Sequence, residues 1–292
     1  MIYDINGTTL NKVYDVNGIE KQQVYDVEGN PLLSSEPVTL KVMTYNVGQW
    51  STGAGSAVPT SKKEAYYDLQ KGIFERNEPQ VCCIQEYYYR WCQDDSRAAD
   101  LLGAYFNDLH TTNSTNVYKC HAIATKDLPM ANYTSHNFPS NRGNYPTYET
   151  CQITVGGKTI NIVNTHNDYY TEYQPSEIAT LLSAIQGMEY FILCGDFNTN
   201  IYYPADFNDT TTSQYVTNIK PFVDAGYNVG NCGYQWLRTY YGDTEATWAA
   251  RDNIITSPNI TFNSLTVDTA KLTDDIMDKV DHLPLIAEVT IS

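Results

Sequence analysis

The chain has 292 residues with 42% apolar content, and its 18 lysines and arginines against 34 aspartates and glutamates give a formal charge of −16. Length and composition suit a soluble globular protein with a sizeable core, while the acidic balance excludes a broad basic surface for nucleic acid. Phosphate therefore has to be met locally, and carboxylates holding a divalent cation would do this because the ion inverts the field at the site. The seven cysteines, an odd set without CxxC spacing, include Cys82, Cys83 and Cys194 inside apolar runs, which reads as thiols packed in a reducing compartment. The 25 tyrosines read first as partly buried amphipathic rings and second as stacking faces.

The first 33 residues repeat every eleven: Ile2-Tyr3-Asp4-Ile5-Asn6-Gly7, Val13-Tyr14-Asp15-Val16-Asn17-Gly18 and Val24-Tyr25-Asp26-Val27-Glu28-Gly29. Asn-Gly between alternating apolar residues signals a hairpin, because both turn positions take positive φ. The spacing predicts a three-stranded meander of nine-residue strands and two-residue turns, with Tyr3, Ile5, Leu10, Tyr14, Val16, Ile19, Tyr25 and Val27 on one face. So small a sheet needs a cover. Residues 1–33 are accordingly read as a hairpin-repeat module for self-association or attachment, the alternative being a decoration packed on its own domain. Repeats of this kind resemble short appendages of phage and bacterial surface assemblies.

Residues 34–37 form a polar linker, and residues 38–292 are read as one large domain. A strand is predicted over 38–45, ending at Asn46, then a loop at 48–61 and a helix over 62–76 with Tyr66, Leu69, Ile73 and Phe74 at helical spacing. Residues 80–86 read as a buried strand ending in Glu86, followed by a helix through Leu101 and Leu102 and a polar loop at 103–117. A strand at 121–125 precedes an Asn/Pro/Tyr-rich loop at 131–147, and a hairpin turns at Gly156-Gly157 into a strand ending at His166. A helix over 175–186 leads to Phe191-Ile192-Leu193-Cys194-Gly195-Asp196-Phe197-Asn198, four apolar residues and then a glycine that lets the chain bend. By itself Gly-Asp-x-Asn reads as a strand ending in an Asx turn. Residues 200–233 read as an irregular connection with a helical turn or two near 216–224, 249–255 as a strand, and 281–289 as the closing segment. No charged start with an apolar stretch and no membrane-length run is present, so a cytoplasmic protein or a component of a phage or surface assembly is expected, without membrane insertion.

One strand end after another carries a polar residue suited to metal or phosphate chemistry: Asn46, Glu86, His166, Asp196 with Asn198, Asp252, and Asp281 with His282. Strand ends converging on one cleft would account for the series. Thr44-Tyr45-Asn46, Ile84-Gln85-Glu86, Asn164-Thr165-His166, Gly195-Asp196-Phe197-Asn198, Arg251-Asp252-Asn253-Ile254 and Asp281-His282-Leu283-Pro284 together resemble the endonuclease/exonuclease/phosphatase superfamily, the deoxyribonuclease I-like fold. That resemblance, over residues 38–292, implies an α+β, four-layer αββα sandwich of two mostly antiparallel sheets.

It also implies a phosphoesterase, above all a nuclease hydrolysing phosphodiesters of nucleic acid by metal-assisted in-line attack of water. Glu86, Asn46 and Asp281 would serve Mg²⁺ or Mn²⁺, with Asn46 a ligand, a partner through water or a phosphate contact. Asp196 would activate the water, and Asn198 would hold the phosphate or that aspartate. Asp252 would keep His282 cationic, His166 would meet the phosphate or leaving oxygen, and Arg142 is a candidate phosphate contact. Asp252 is followed by Asn253 where the family commonly has an aromatic, and no second acid follows Asn46. A phosphatase or phospholipase type acting on inositol phosphate, sphingolipid or another small phosphoester is the alternative, and a non-catalytic binding protein a further one.

Overall fold

The computed structural model of the chain describes residues 37–53, 56–88, 90–91, 96–112, 120–139 and 147–292, with the backbone of four two-residue strands before them. Those strands are β1 (Ile2–Tyr3), β2 (Thr9–Leu10), β3 (Val13–Tyr14) and β4 (Glu20–Lys21). They pair as two antiparallel hairpins, Ile2 opposite Leu10 and Val13 opposite Lys21, so the pairing repeats at the sequence period. β2 and β3 belong to separate two-stranded sheets, and residues 11–12, which would join them into the middle strand of the expected meander, lie outside the described residues. A two-residue Asn6-Gly7 turn would set Tyr3 opposite Leu10, whereas Tyr3 lies opposite Thr9. The pairing is slipped by one residue from the expected register, which puts Tyr3 on the face of Thr9 in place of Leu10. The third repeat, the linker residues 34–36, Cys92 and Arg142 lie outside the described residues.

The larger unit begins with β5 (Val38–Asn46), α1 (Lys63–Asn77), β6 (Val81–Gln85), α2 (Ser96–Gly103), β7 (Asp108–Thr111), β8 (Ala122–Thr125), β9 (Ala131–Asn137) and β10 (Thr147–Val155). It continues through β11 (Lys158–His166), α3 (Gln174–Ile185), β12 (Phe191–Tyr202), α4 (Ser213–Asn218), α5 (Lys220–Asp224), β13 (Asn228–Val229), β14 (Ala249–Thr256), β15 (Ile260–Val267) and β16 (Leu285–Ile291). Two six-stranded sheets result, ordered β15-β16-β5-β6-β8-β7 and β13-β14-β12-β11-β10-β9. Pairing is antiparallel except between β5 and β6 and between β11 and β12.

Side-chain alternation then sorts the core into three layers. Leu40, Val42, Val81, Cys83, Ile160, Ile162, Ile192, Cys194 and Ile254 fill the space between the sheets. The alternate residues Met43, Tyr45, Cys82 and Ile84 meet Tyr66, Ile73 and Phe74 of α1 and Leu101 and Leu102 of α2. Val163, Phe191, Leu193 and Ile255 meet Ile178, Leu181 and Ile185 of α3 and Phe222 of α5. This is the expected αββα sandwich, with Cys82, Cys83 and Cys194 as buried free thiols. Among the described residues no helix is long and apolar enough to cross a membrane.

Strands β7 and β9 occupy stretches expected to be loops, β15 was not expected, and β12 runs on to Tyr202 where an irregular connection was expected from residue 200. β7, β9 and β15 lie at sheet edges. An edge strand has one ladder partner and little buried face, so its apolar periodicity fades; in β9 no residue is fully buried.

Candidate active site

The sandwich has one polar end because the inner face of each strand changes character over two residues. Val42 is followed on that face by Thr44 and Asn46, Cys83 by Gln85, Ile162 by Asn164 and His166, and Cys194 by Asp196, all buried. β14 runs the other way, and its inner face changes from Ile254 to Asp252. Register sets the polar residues side by side: His166 pairs with Asp196, Asp196 with Asp252, and Asn46 with Gln85.

Local backbone then aims the groups. Gly195 lets β12 lie close to β11, since a Cβ there would run into the Thr165 carbonyl oxygen. The β12–β14 register shifts between Asp196 and Ile201, and Asn198 takes φ 49°. Its N–H donates to Asp196 Oδ1 at 2.8 Å, closing an Asx turn, and its Nδ2 donates to the Asn167 carbonyl at 2.8 Å. Glu86 follows β6 at φ 53°, with its carbonyl accepting from Gln49 at 3.1 Å. Two non-glycine residues held in the left-handed region at one site are the kind of local strain that a surrounding structure sustains for function. Asp281 and His282 precede β16 on a segment tied to residues 239–241: Tyr241 N–H donates to the Asp281 carbonyl at 2.8 Å and Leu283 N–H to the Thr239 carbonyl at 2.8 Å. Thr239 Oγ1 also accepts from the Asp252 N–H at 3.0 Å.

The side chains converge on Asp196. Its Oδ2 accepts from Asn46 Nδ2 at 3.0 Å and lies 3.5 Å from His166 Nε2 and 3.4 Å from His282 Nε2. Asn46 Nδ2 also donates to Glu86 Oε1 at 3.2 Å, and Asn46 Oδ1 accepts the Gly48 N–H at 2.9 Å. His282 Nδ1 is 2.8 Å from Asp252 Oδ2. Burial alone would favour a neutral His282, but Asp252 and Asp196 outweigh it and push its pKa up to about 10. Burial likewise works to raise the Asp196 carboxyl; His282, His166, Arg251 and the Asn198 N–H overcome that and hold it below the usual carboxylate range. Burial raises Asp252 while the pair keeps its proton on His282. The result is an imidazolium that donates from Nδ1 to Asp252 and holds Nε2 3.4 Å from the Asp196 carboxylate.

These groups line a cleft of about 290 Å³ whose walls include Glu86, His166, Asn198, Tyr169, Tyr240, Arg251 and Asp281. A second cleft, lined by Gly48, Lys271 and Lys279, meets it at Glu86, Asp281 and His282. Of the residues singled out in the sequence, Glu86, His166, Asp196, Asn198, Asp281 and His282 line this cleft, while Asn46 and Asp252 reach it only through their contacts with Asp196 and His282.

Three further residues lacked a usable sequence signal. Arg251 sits on the opposite alternation from Asp252, yet its long side chain reaches the cleft, with Nε donating to Asn200 Oδ1 at 3.1 Å and its guanidinium 3.4 Å over the Tyr240 ring. Asn167 is placed by its own N–H, which donates to the Asp196 carbonyl at 2.8 Å. Lys271 is buried, donates to the His282 carbonyl at 3.1 Å and has its pKa lowered to about 8 by burial against the pull of Asp281, Asp252 and Asp268.

Asp196, Asp252 and His282 lie close enough together to hold a metal ion. His282 Nδ1 is however bonded to Asp252, and Mg²⁺ and Mn²⁺ favour oxygen donors over imidazole nitrogen. Glu86 and Asp281 are the oxygen donors that line both clefts.

No protein-family model and no curated protein matches this sequence. Solved structures do match in fold. Truncated TDP2 of Caenorhabditis elegans superposes with a TM-score of 0.57 at 14% identity, covering 86% of this chain and 97% of its own. An endonuclease/exonuclease/phosphatase family protein from Bacteroides thetaiotaomicron gives 0.61 at 14% identity over 89% and 97%. The human Nocturnin catalytic domain with bound sulfate gives 0.59 at 16% identity over 88% and 97%.

Proposed function

On a chain with the endonuclease/exonuclease/phosphatase fold, we propose that the cleft hydrolyses phosphate esters, and phosphodiesters of nucleic acid in particular. One observation carries the reading: the Asp196 carboxylate and the His282 imidazole, 3.4 Å apart, share a cleft with Asn198, Arg251 and the carboxylates Glu86 and Asp281.

In this reading Asp196 orients the attacking water in line with the leaving oxygen and accepts hydrogen bonding from it. Its low proton affinity suits polarising that water more than retaining its proton. His282, kept charged by Asp252, donates to a phosphoryl oxygen as negative charge grows there, and Arg251 and Asn198 hold the remaining oxygens. His166 stands beside Asp196 and Glu86, where it meets the phosphate or the leaving oxygen. Asn46 bridges Glu86 and Asp196 and fixes both carboxylates. Glu86 and Asp281 would hold Mg²⁺ or Mn²⁺, with Asn46 reaching the ion through water. A bound ion supplies positive charge beside the phosphoryl oxygens.

Purified protein incubated with plasmid DNA, single-stranded RNA and bis-p-nitrophenyl phosphate in Mg²⁺, Mn²⁺ or EDTA tests the proposal. Turnover that requires metal and falls sharply in Asp196→Ala and His282→Ala is expected; none in any metal, or undiminished turnover in both variants, refutes it. An inositol-phosphate and sphingolipid panel separates the small-phosphoester alternative. Residues 1–33 are proposed as an attachment or self-association module, supported by hairpins whose registers repeat at eleven residues. Equal masses in light scattering with and without residues 1–33 would exclude self-association.

A further inference from the structure

One wall of the cleft is formed by the loop that follows His166. Tyr169 lines the cleft and is 50% exposed. Its ring centroid lies 4.0 Å from that of Tyr170, itself 36% exposed, and Tyr170 meets Tyr173 edge-on at 6.5 Å. The backbone beneath is firmly held. Asp168 N–H donates to the buried Glu177 carboxylate at 2.8 Å, Tyr170 N–H to Asp168 Oδ1 at 2.9 Å, and Gln174 Nε2 to the Asp168 carbonyl at 2.9 Å. This is a fixed aromatic platform, because the loop it rides on is anchored to the first turn of α3.

The part of the lining formed by Tyr240 and Arg251 is built differently. Tyr240 carries the Arg251 guanidinium over its ring at 3.4 Å and meets His282 edge-on at 5.1 Å, so its role is to hold a cation and a catalytic ring in place. The cleft lining therefore includes a cation for phosphate and a half-exposed aromatic face together with Asp196 and His282. Its volume, about 290 Å³, is at the lower end for a drug-sized ligand, room for roughly one nucleotide rather than a base pair with both backbones. The chain's charge of −16 further disfavours tracking the two phosphate strands of a duplex, whereas stacking needs no counter-charge.

We propose that Tyr169, backed by Tyr170, stacks an unpaired nucleobase next to the scissile phosphate, making single-stranded polynucleotide the substrate. This deepens the phosphoesterase reading and rests on it for the position of the scissile phosphate.

Two measurements test it. The first is anisotropy of a fluorescein-labelled single-stranded oligothymidylate and of the matching duplex, in EDTA so that nothing is cleaved. The second is the ratio of kcat/KM for the oligonucleotide to that for bis-p-nitrophenyl phosphate, in Mg²⁺ or Mn²⁺. Stacking one base predicts tighter binding of the single strand than of the duplex. It also predicts weakening of the single strand by roughly five-fold to over a hundred-fold in Tyr169→Ala, with retention in Tyr169→Phe. The kcat/KM ratio falls in the same variant and recovers in the phenylalanine one. Equal or tighter duplex binding, an unchanged single-strand affinity in Tyr169→Ala, or as large a loss in Tyr169→Phe would overturn the subsite. Thymidine monophosphate competing as strongly as the oligonucleotide would overturn the polynucleotide assignment. The two proposals fail separately: no turnover of any phosphoester with the EDTA binding pattern intact removes only the hydrolase, and turnover with an unchanged ratio removes only the subsite.

Discussion

The charge of His282 depends on two neighbours, and removing one gives a quantitative test. Asp252 Oδ2 at 2.8 Å and Asp196 Oδ2 at 3.4 Å reverse the effect of burial and push the imidazole up to about 10. Relative to an ordinary histidine near 6.5, that preference for the charged form is on the order of 5 kcal/mol. Asp252→Asn keeps a hydrogen-bond acceptor at the shorter distance and removes the charge, a change expected to lower the pKa by roughly 1–3 units. If the imidazolium is the active form, the alkaline limb of kcat/KM moves down by the same amount. Above the new midpoint the activity lost approaches 10–10³-fold, and on the acid side most of it returns. The profile is measured with bis-p-nitrophenyl phosphate in Mg²⁺ at constant ionic strength. Imidazole ¹⁵N shifts of metal-free protein follow the titration independently of turnover. A His282 that titrates near 6.5 in the native protein, or coincident alkaline limbs in the two proteins, refutes the reasoning.

Glu149, buried beside Tyr133 and Asn164, has its carboxyl pushed up to about 8, by burial first and against hydrogen bonds from both neighbours. Between its ordinary value near 4.5 and about 8 the folded state holds a proton that the unfolded chain has released, so stability falls as pH rises through that window. Thermal midpoints should drop from pH 5 to pH 8, and drop less in Glu149→Gln, which should be the more stable protein above pH 8 by up to about 5 kcal/mol. His282 adds the same sign higher up: its contribution is complete below about 6.5 and lost as pH rises toward 10. Gly195→Ala should force β11 and β12 apart at the Thr165 carbonyl and destabilise by roughly 1–3 kcal/mol, read as a lower urea midpoint at unchanged slope. Asn198→Gly relieves the positive φ while removing the hydrogen bond to the Asn167 carbonyl, so stability should stay within about 1 kcal/mol of native. Its turnover should nonetheless fall on the order of 10²-fold; parallel losses of melting temperature and activity would contradict a direct role for that amide.

The sandwich was legible because central strands carry strong signals. β5, β6, β11 and β14 are bounded by helices or turns and alternate between two buried faces, so their limits in sequence are close to those in space. β7, β9 and β15 were not legible, since an edge strand is half solvated and its composition approaches that of a loop. Arg251 was missed for another reason: alternation assigns a residue to a face but does not say how far a long side chain travels from it. Tyr169 was one ring among 25, and only its place on the cleft wall distinguishes it.

Asp196 shows why local and global readings of a motif need not compete. Taken alone, Gly-Asp-x-Asn is an Asx turn, and the structure contains that turn, with Asn198 N–H on Oδ1. The turn occupies one carboxylate oxygen and thereby fixes the rotation of the other, which faces Asn46, His166 and His282. A carboxylate free to rotate would share both oxygens with solvent and present neither in a constant direction. The turn is thus the device that orients the reactive oxygen, and Gly195 is needed because the same stretch must also lie against Thr165. Replacing Asp196 by Asn tests this division of labour. The amide oxygen can still close the turn, while an NH₂ group would then face the two histidines and the amide of Asn46. The variant should retain native-like β12 amide protection in hydrogen exchange and lose turnover by on the order of 10²-fold or more. Loss of protection at residues 195–198 in Asp196→Asn would show instead that the charge, and not the turn, holds the segment.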